Sequence, residues 1–129
     1  MENEDKILEC FISLVEKFDI GTSITLFVNG QIITGRTIST KNYLSLLSEN
    51  FKNSHDKKAQ DLGDDINEVL KPYINSNTNE VKSNNPKYIH INMFKIIDQN
   101  NNIIKFGNNP LRIKISNIQG YIFGEMQDI

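Results

Sequence analysis

Apolar residues recur at helical spacing through the first twenty positions. Ile7, Leu8, Phe11, Ile12, Leu14, Val15 and Phe18 follow the 3.6-residue period and predict one amphipathic helix over residues 1–20 with a wide buried stripe. Glu9, Ser13, Glu16 and Lys17 fall on the other side. Asn3 stands where a cap belongs, and Glu4 and Asp5 sit in the first turn, where the helix dipole favours acids. The period then changes to two. Over 23–39, Ile24, Leu26 and Val28 alternate with residues facing the other way, and the pattern resumes around Ile33. Asn29 and Gly30 lie between the two runs, and this pair tolerates the two positive φ angles of a type I′ hairpin turn. Gly35, inside the second run, marks a bulge or tight bend. A bent hairpin this early predicts a small, strongly curved sheet.

Helical spacing returns at 41–74. Lys41 to Lys52 carries Tyr43, Leu44, Leu47 and Phe51 on one face, with Ser39 or Thr40 as the cap. Lys57 to Tyr73 repeats the pattern more weakly through Leu62, Ile66, Val69, Leu70 and Tyr73. Gly63 argues against one continuous helix there, and Pro72 ends it within a turn. Residues 75–87 contain one apolar side chain other than proline, so burial cannot repay the entropy of ordering them; a mobile Asn-rich loop is expected. Strands resume over 88–126. Ile89, Ile91 and Met93 share one face of Tyr88 to Ile97 and Tyr88, Phe94 and Ile96 the other, as in a strand covered on both sides. A polar turn at Asp98 to Asn102 leads to a return strand, Ile103 to Phe106, and a second turn at Gly107 to Pro110. Leu111, Ile113 and Ile115 then alternate against Arg112 and Lys114, and a last run, Gly120 to Met126, is punctuated by Gly120 and Gly124.

Composition sets limits on this picture. A chain of 129 residues with 38% apolar content and seven Phe builds one domain with one modest core. No apolar run approaches the ~20 residues of a membrane helix, and Met1 to Lys6 does not resemble a signal or transit peptide. A cytoplasmic, non-membrane protein is expected. Cys10, the single cysteine, is expected on the buried side of the first helix as a small hydrophobe, and it excludes an internal disulfide.

The net charge of −2 hides an asymmetry. Residues 1–20 carry six acids and two lysines, whereas 81–116 carry Lys82, Lys87, Lys95, Lys105, Arg112 and Lys114 against Asp98 alone. Lys95, Lys105, Arg112 and Lys114 lie in the C-terminal strands and form a candidate partner surface, as a docking patch or as charges that protect open sheet edges.

Candidate chemistry is sparse. One Cys with His55 and His90 far apart cannot supply the four ligands of a zinc site. His90 reads as a hydrogen-bonded residue at the sheet surface. Asp61, Asp64, Asp65 and Glu68 lack the alternation, central glycine and terminal glutamate of a calcium loop and fit a solvated helix face. Gly30 and Gly35 open no helix, no phosphate loop occurs, and no nucleophile turn is recognisable. The residues predict no enzyme and no cofactor.

Two resemblances add to this reading. Asn29-Gly30 followed by Gly35 is similar to the glycine spacing of the first motif of Sm-like barrels, which place an N-terminal helix before a sharply bent five-stranded sheet. More of the chain resembles the gas vesicle accessory protein U family (GvpU). That likeness runs through Ile7 to Phe18, Ile24-Thr25-Leu26, Val28, Gly30, Ile33, Gly35, Ile38-Ser39, Tyr43, Leu47, Phe51, Tyr88-Ile89-His90-Ile91 and Arg112 to Gly124. The family tends toward Trp-Arg-Gly-Lys where this chain has Leu111-Arg112-Ile113-Lys114; the two cations fit and the aromatic does not. Together these imply an α+β fold: an N-terminal helix, then a small, strongly bent antiparallel sheet of Sm-like or SH3-like barrel type, with a helical insertion between strands 2 and 3. The family resemblance implies a non-enzymatic accessory role in assembling, organising or clustering gas vesicles. Its implied partners are shell or other accessory proteins, with self-association through sheet edges as a further route. The alternative is an Sm-like RNA-binding module. Against it, Ser39-Thr40-Lys41-Asn42-Tyr43 lacks the Asp and Met-Asn pattern of RNA-reading Sm proteins, and the second motif is altered to Ile113-Lys114-Ile115-Ser116.

Overall fold

The computed structural model describes residues 5–75 and 86–126. Helix α1 spans Lys6–Phe18 and begins at Asp5, whose Oδ1 accepts the Leu8 backbone N–H at 3.0 Å. The expected cap, Asn3, lies outside the described residues. Leu8, Ile12 and Val15 are buried, but Ile7, Leu14 and Phe18 stay exposed, Ile7 at 68%. Cys10 is exposed too, and Glu9 is buried, both contrary to expectation. The periodicity marked the helix correctly and overstated the width of its buried face. A helix lying on one sheet is covered on one side, so the apolar arc extends beyond what the sheet can reach.

Strands β1 (Ser23–Val28) and β2 (Gln31–Ile38) form the expected hairpin. Asn29 and Gly30 both adopt positive φ, 51° and 81°, as a type I′ turn requires. β2 pairs with β3 (Tyr88–Ile97), whose other edge is shared by two short strands. β4 (Ile103–Lys105) takes the Lys95 end and β5 (Leu111–Lys114) the Tyr88 end. After a 3-10 turn at Ile115–Asn117, β6 (Gly120–Ile122) returns to β1. The antiparallel sheet therefore runs β4-β3-β2-β1-β6, with β5 beside β4 on β3. With α1, two further helices and this six-stranded sheet, the protein is α+β.

The irregularity at Gly35 has a partner the sequence concealed. Thr34 faces Lys95 and Arg36 faces Asn92, so Gly35 alone stands opposite both Met93 and Phe94. The extra residue belongs to β3, where Met93 takes φ 50° and is 65% exposed. One inserted residue shifts the phase of everything after it. Phe94 thereby joins Ile89 and Ile91 in the core, and Met93 does not, which corrects the unbroken alternation expected for this strand. The core is completed by Leu8 and Ile12 of α1, Ile24, Leu26 and Ile33 of the hairpin, and Ile113 of β5.

Helices α2 (Thr40–Lys52) and α3 (Lys57–Asn75) follow β2 in the chain and precede β3. Ser39 caps α2, its Oγ accepting the Asn42 N–H at 3.1 Å. α3 runs unbroken through Gly63 and ends three residues after Pro72. Gly63 serves close packing: a Cβ there would sit 2.8 Å from the Lys52 backbone nitrogen and 2.9 Å from Phe51 Cβ, and its carbonyl accepts the buried Ser48 hydroxyl at 3.0 Å. The Asn-rich segment expected to be mobile falls largely on 76–85, outside the described residues. No helix among the described residues is long and apolar enough to cross a membrane.

Candidate functional site: a basic sheet face

In an antiparallel pair, directly opposed residues project to the same face. Ile113 opposes Ile89 and Leu111 opposes Ile91 on the core side, so Arg112 opposite His90 and Lys114 opposite Tyr88 project to the outer side. Lys95 opposes Lys105. In an unbroken β3, Lys95 would share the parity of Ile89 and Ile91 and point inward. The bulge at Met93 reverses that, and Lys95 and Lys105 emerge on the same face as Arg112 and Lys114. The four predicted cations thus project to one side of the sheet, Lys95 and Lys105 at one end of β3 and Arg112 and Lys114 at the other.

Among the described residues no acid lies within ion-pair distance of any of the four; the ion pairs present are Lys6–Glu9, Lys52–Asp64 and Lys57–Asp61. Lys95 and Lys105 are like charges set directly opposite each other, an arrangement that costs stability. Lys105 and Lys114 are exposed and Lys95 half-buried, so the lysines present mobile point charges.

Arg112 is held differently. Its guanidinium lies 3.9 Å from the centre of the Tyr88 ring, and Nη1 donates to His90 Nε2 at 3.0 Å. His90 is only 2% exposed, beneath Tyr43 of α2 with ring centres 4.4 Å apart. It is a buried residue and not the surface residue its strand position predicted. Burial first, and the Arg112 charge second, lower its pKa from 6.5 to about 4. Neutral His90 accepts at Nε2 and turns Nδ1 to Thr40 Oγ1, 3.5 Å away. Thr40 Oγ1 in turn donates to Glu16 Oε2 at 2.8 Å, and the Thr40 N–H donates to both Glu16 oxygens at 3.0 Å. Burial raises the Glu16 pKa, nearby Asp19 adds to the rise, and the Thr40 hydrogen bonds oppose it. A polar chain therefore runs from Arg112 on β5 through β3 and the start of α2 to α1. Sequence reasoning found Arg112 and missed this chain, because its members lie between 16 and 112 and only the fold joins them.

The chain predicts a pH dependence. Folded His90 protonates near pH 4 and unfolded His90 near 6.5, so between these values the unfolded state binds the extra proton. Its contribution to stability is whole above about pH 6.5 and is lost as pH falls toward 4, by up to ~3 kcal/mol. Glu16 acts in the opposite sense, since its raised pKa makes protonation favour the folded state. Urea unfolding of the wild type should show a steeper stability loss from pH 7 to pH 4.5 than urea unfolding of His90→Gln. Equal slopes would mean that His90 titrates normally in the fold.

No group of three or more His, Cys, Asp or Glu side chains that could hold a metal stands together among the described residues. His55 is exposed between α2 and α3. On α3, Asp61 pairs with Lys57 at 3.0 Å and Asp64 with Lys52 at 3.8 Å, the arrangement of a solvated helix face. No curated protein and no solved structure matches the chain. A family model described as "Gas vesicle protein GvpU-like" matches residues 5–126, nearly the whole length. The chain belongs to the GvpU-like family of gas vesicle proteins.

Proposed function

We propose that this protein is a non-enzymatic, cytoplasmic gas vesicle accessory protein that assists vesicle assembly or clustering by docking the basic sheet face onto an acidic surface. The observation that supports the docking mode is that Lys95, Lys105, Arg112 and Lys114 project to the same side of the sheet, without acidic ion-pair partners among the described residues, in a chain of net charge −2. Concentrated charge of one sign on an acidic protein steers association toward an opposite surface. The partner is a shell protein or another accessory protein of the vesicle, and family membership supplies the vesicle context.

The scaffold of this reading is an Sm-like or SH3-like barrel carrying α2 and α3 as an insertion. Three features support it: the bulge that bends β3, the 3-10 turn after β5, and the return of β6 to β1. The two ends of the strand order, β4 and β6, are the edges through which copies could self-associate. Nothing in the family match supports the RNA-binding alternative. The test is deletion of the gene in a vesicle-forming cell, followed by electron microscopy. Altered vesicle number or clustering, restored by the wild-type gene, is expected; vesicles unchanged in both respects would overturn the accessory role.

A further inference from the structure

We infer that helix α3 of one copy docks antiparallel onto the exposed face of α1 of another, linking copies of this chain head to tail. Both helices turn apolar side chains to solvent. On α1, Ile7 is 68% exposed, Leu14 46% and Phe18 58%; on α3, Leu62 is 46% exposed and Val69 71%. Ile7 and Leu14 are seven residues apart, and so are Leu62 and Val69, two turns of helix in each case. Each helix therefore carries an apolar seam that its own chain leaves uncovered, and such seams mark places of contact.

Charge names the occupant. A residue one position before a seam residue, or three after it, stands on the same flank of that seam. On α1 this flank holds Lys6 before Ile7 and Lys17 after Leu14, both exposed. On α3 it holds Asp61 before Leu62, Asp65 after it and Glu68 before Val69, all exposed. Lys17, Asp65 and Glu68 have no ion pair among the described residues. Lys6 stands 3.8 Å from Glu9, and Asp61 pairs with Lys57 at 3.0 Å, each contact made within one helix by an exposed lysine. Such surface pairs contribute little and exchange readily.

Two facing helices bring matching flanks together only when they run antiparallel; a parallel pair would set the basic flank of α1 away from the acids of α3. With Ile7 beside Val69 and Leu14 beside Leu62, Lys6 comes next to Glu68 and Lys17 next to Asp61, with Asp65 between them. Lys58, one turn before Leu62, then meets the Phe18 ring, where a cation is favourable. The two faces belong to different helices of the chain, so the contact is heterologous. Every copy docked through α1 still offers its α3, and growth continues unless the rotation closes a ring. Two short helices bury less than about 1,200 Å² together, the range of weak association. This contact uses neither β4, β6 nor the basic sheet face.

The test is sedimentation of the purified full chain from roughly 10 μM to 1 mM, the range for an interface of this size. The average mass of the wild type should rise with concentration past that of a dimer. Lys17→Glu and Asp65→Lys, both at exposed positions, should each weaken association about tenfold and leave the circular dichroism spectrum unchanged. An equimolar mixture of the two variants should recover association, because like charges then meet within each variant and opposite charges across the two. A wild type that stays monomeric at the top of that range, variants that associate as tightly as it does, or a mixture no tighter than its components would each overturn the head-to-tail contact. The wild-type series needs no variant and stands even if one fails to fold. No vesicle enters these measurements, so their failure leaves the accessory reading intact; unchanged vesicles on gene deletion would overturn that reading independently.

Discussion

Gly35→Val should destabilise the protein by about 3 kcal/mol, read as a shift of the urea midpoint. The φ angle at Gly35 is not in the left-handed region, so the reason is space and not conformation. A Cβ there would lie 2.7 Å from Ile91 Cγ2 and 2.9 Å from both Cα and Cβ of Phe94. Ile91 and Phe94 are core residues, and Phe94 Cα is backbone, so nothing nearby yields cheaply. Relief requires β2 and β3 to separate at the bulge, where the register changes between Thr34 and Arg36. Gly35→Ala should follow in the same direction with a smaller loss. Gly120→Ala is the control, because a Cβ there meets Phe27 at an ordinary 3.5 Å. If Gly35→Val and Gly120→Ala behave alike, close packing at the bulge is not what holds this hairpin to β3.

Reversing Lys95, Lys105 and Lys114 to Glu together should weaken vesicle association by at least tenfold and leave the fold intact. Each reversed pair removes an attraction and adds a repulsion, and surface charges away from a packed core change stability little. Lys95 and Lys105 face each other as like charges in either version, so their mutual repulsion is unchanged. Arg112 is deliberately left out. A glutamate there would lose the Tyr88 stack and remove the donor to buried His90, so Arg112→Glu tests the fold as much as the docking face. Association of the wild type should also decline with added salt, as steering between opposite charges requires. The triple variant should show no such dependence.

Local signals carried much of the architecture. The α1 period, the Asn29-Gly30 turn and the disturbance at Gly35 were legible because each is written within a few neighbouring residues. The failures share one cause, which is that they depend on distant partners. Whether Gly35 or β3 held the extra residue turned on pairing across some sixty positions, and Met93 is apolar enough to pass for a core residue. Glu9 and Cys10 changed places because the sheet, absent from any helical period, decides which side of α1 is covered. Gly63 read as a helix breaker because the tight approach of α2 is invisible locally. The four cations were identifiable by composition, but their common face was not, since Lys95 points outward only through the bulge. The bend in β3 thus links the architecture to the proposed docking surface.

The most direct measurement is flotation. The chain is expressed with a gas vesicle gene cluster, the vesicles are floated by gentle centrifugation, and the buoyant layer is probed for the wild type and for the Lys95, Lys105 and Lys114 reversal. The wild type should rise with the vesicles, and the folded reversal variant should remain in the liquid below. A wild-type chain that stays below would contradict vesicle association itself, and a reversal variant that floats equally well would contradict docking through the basic face.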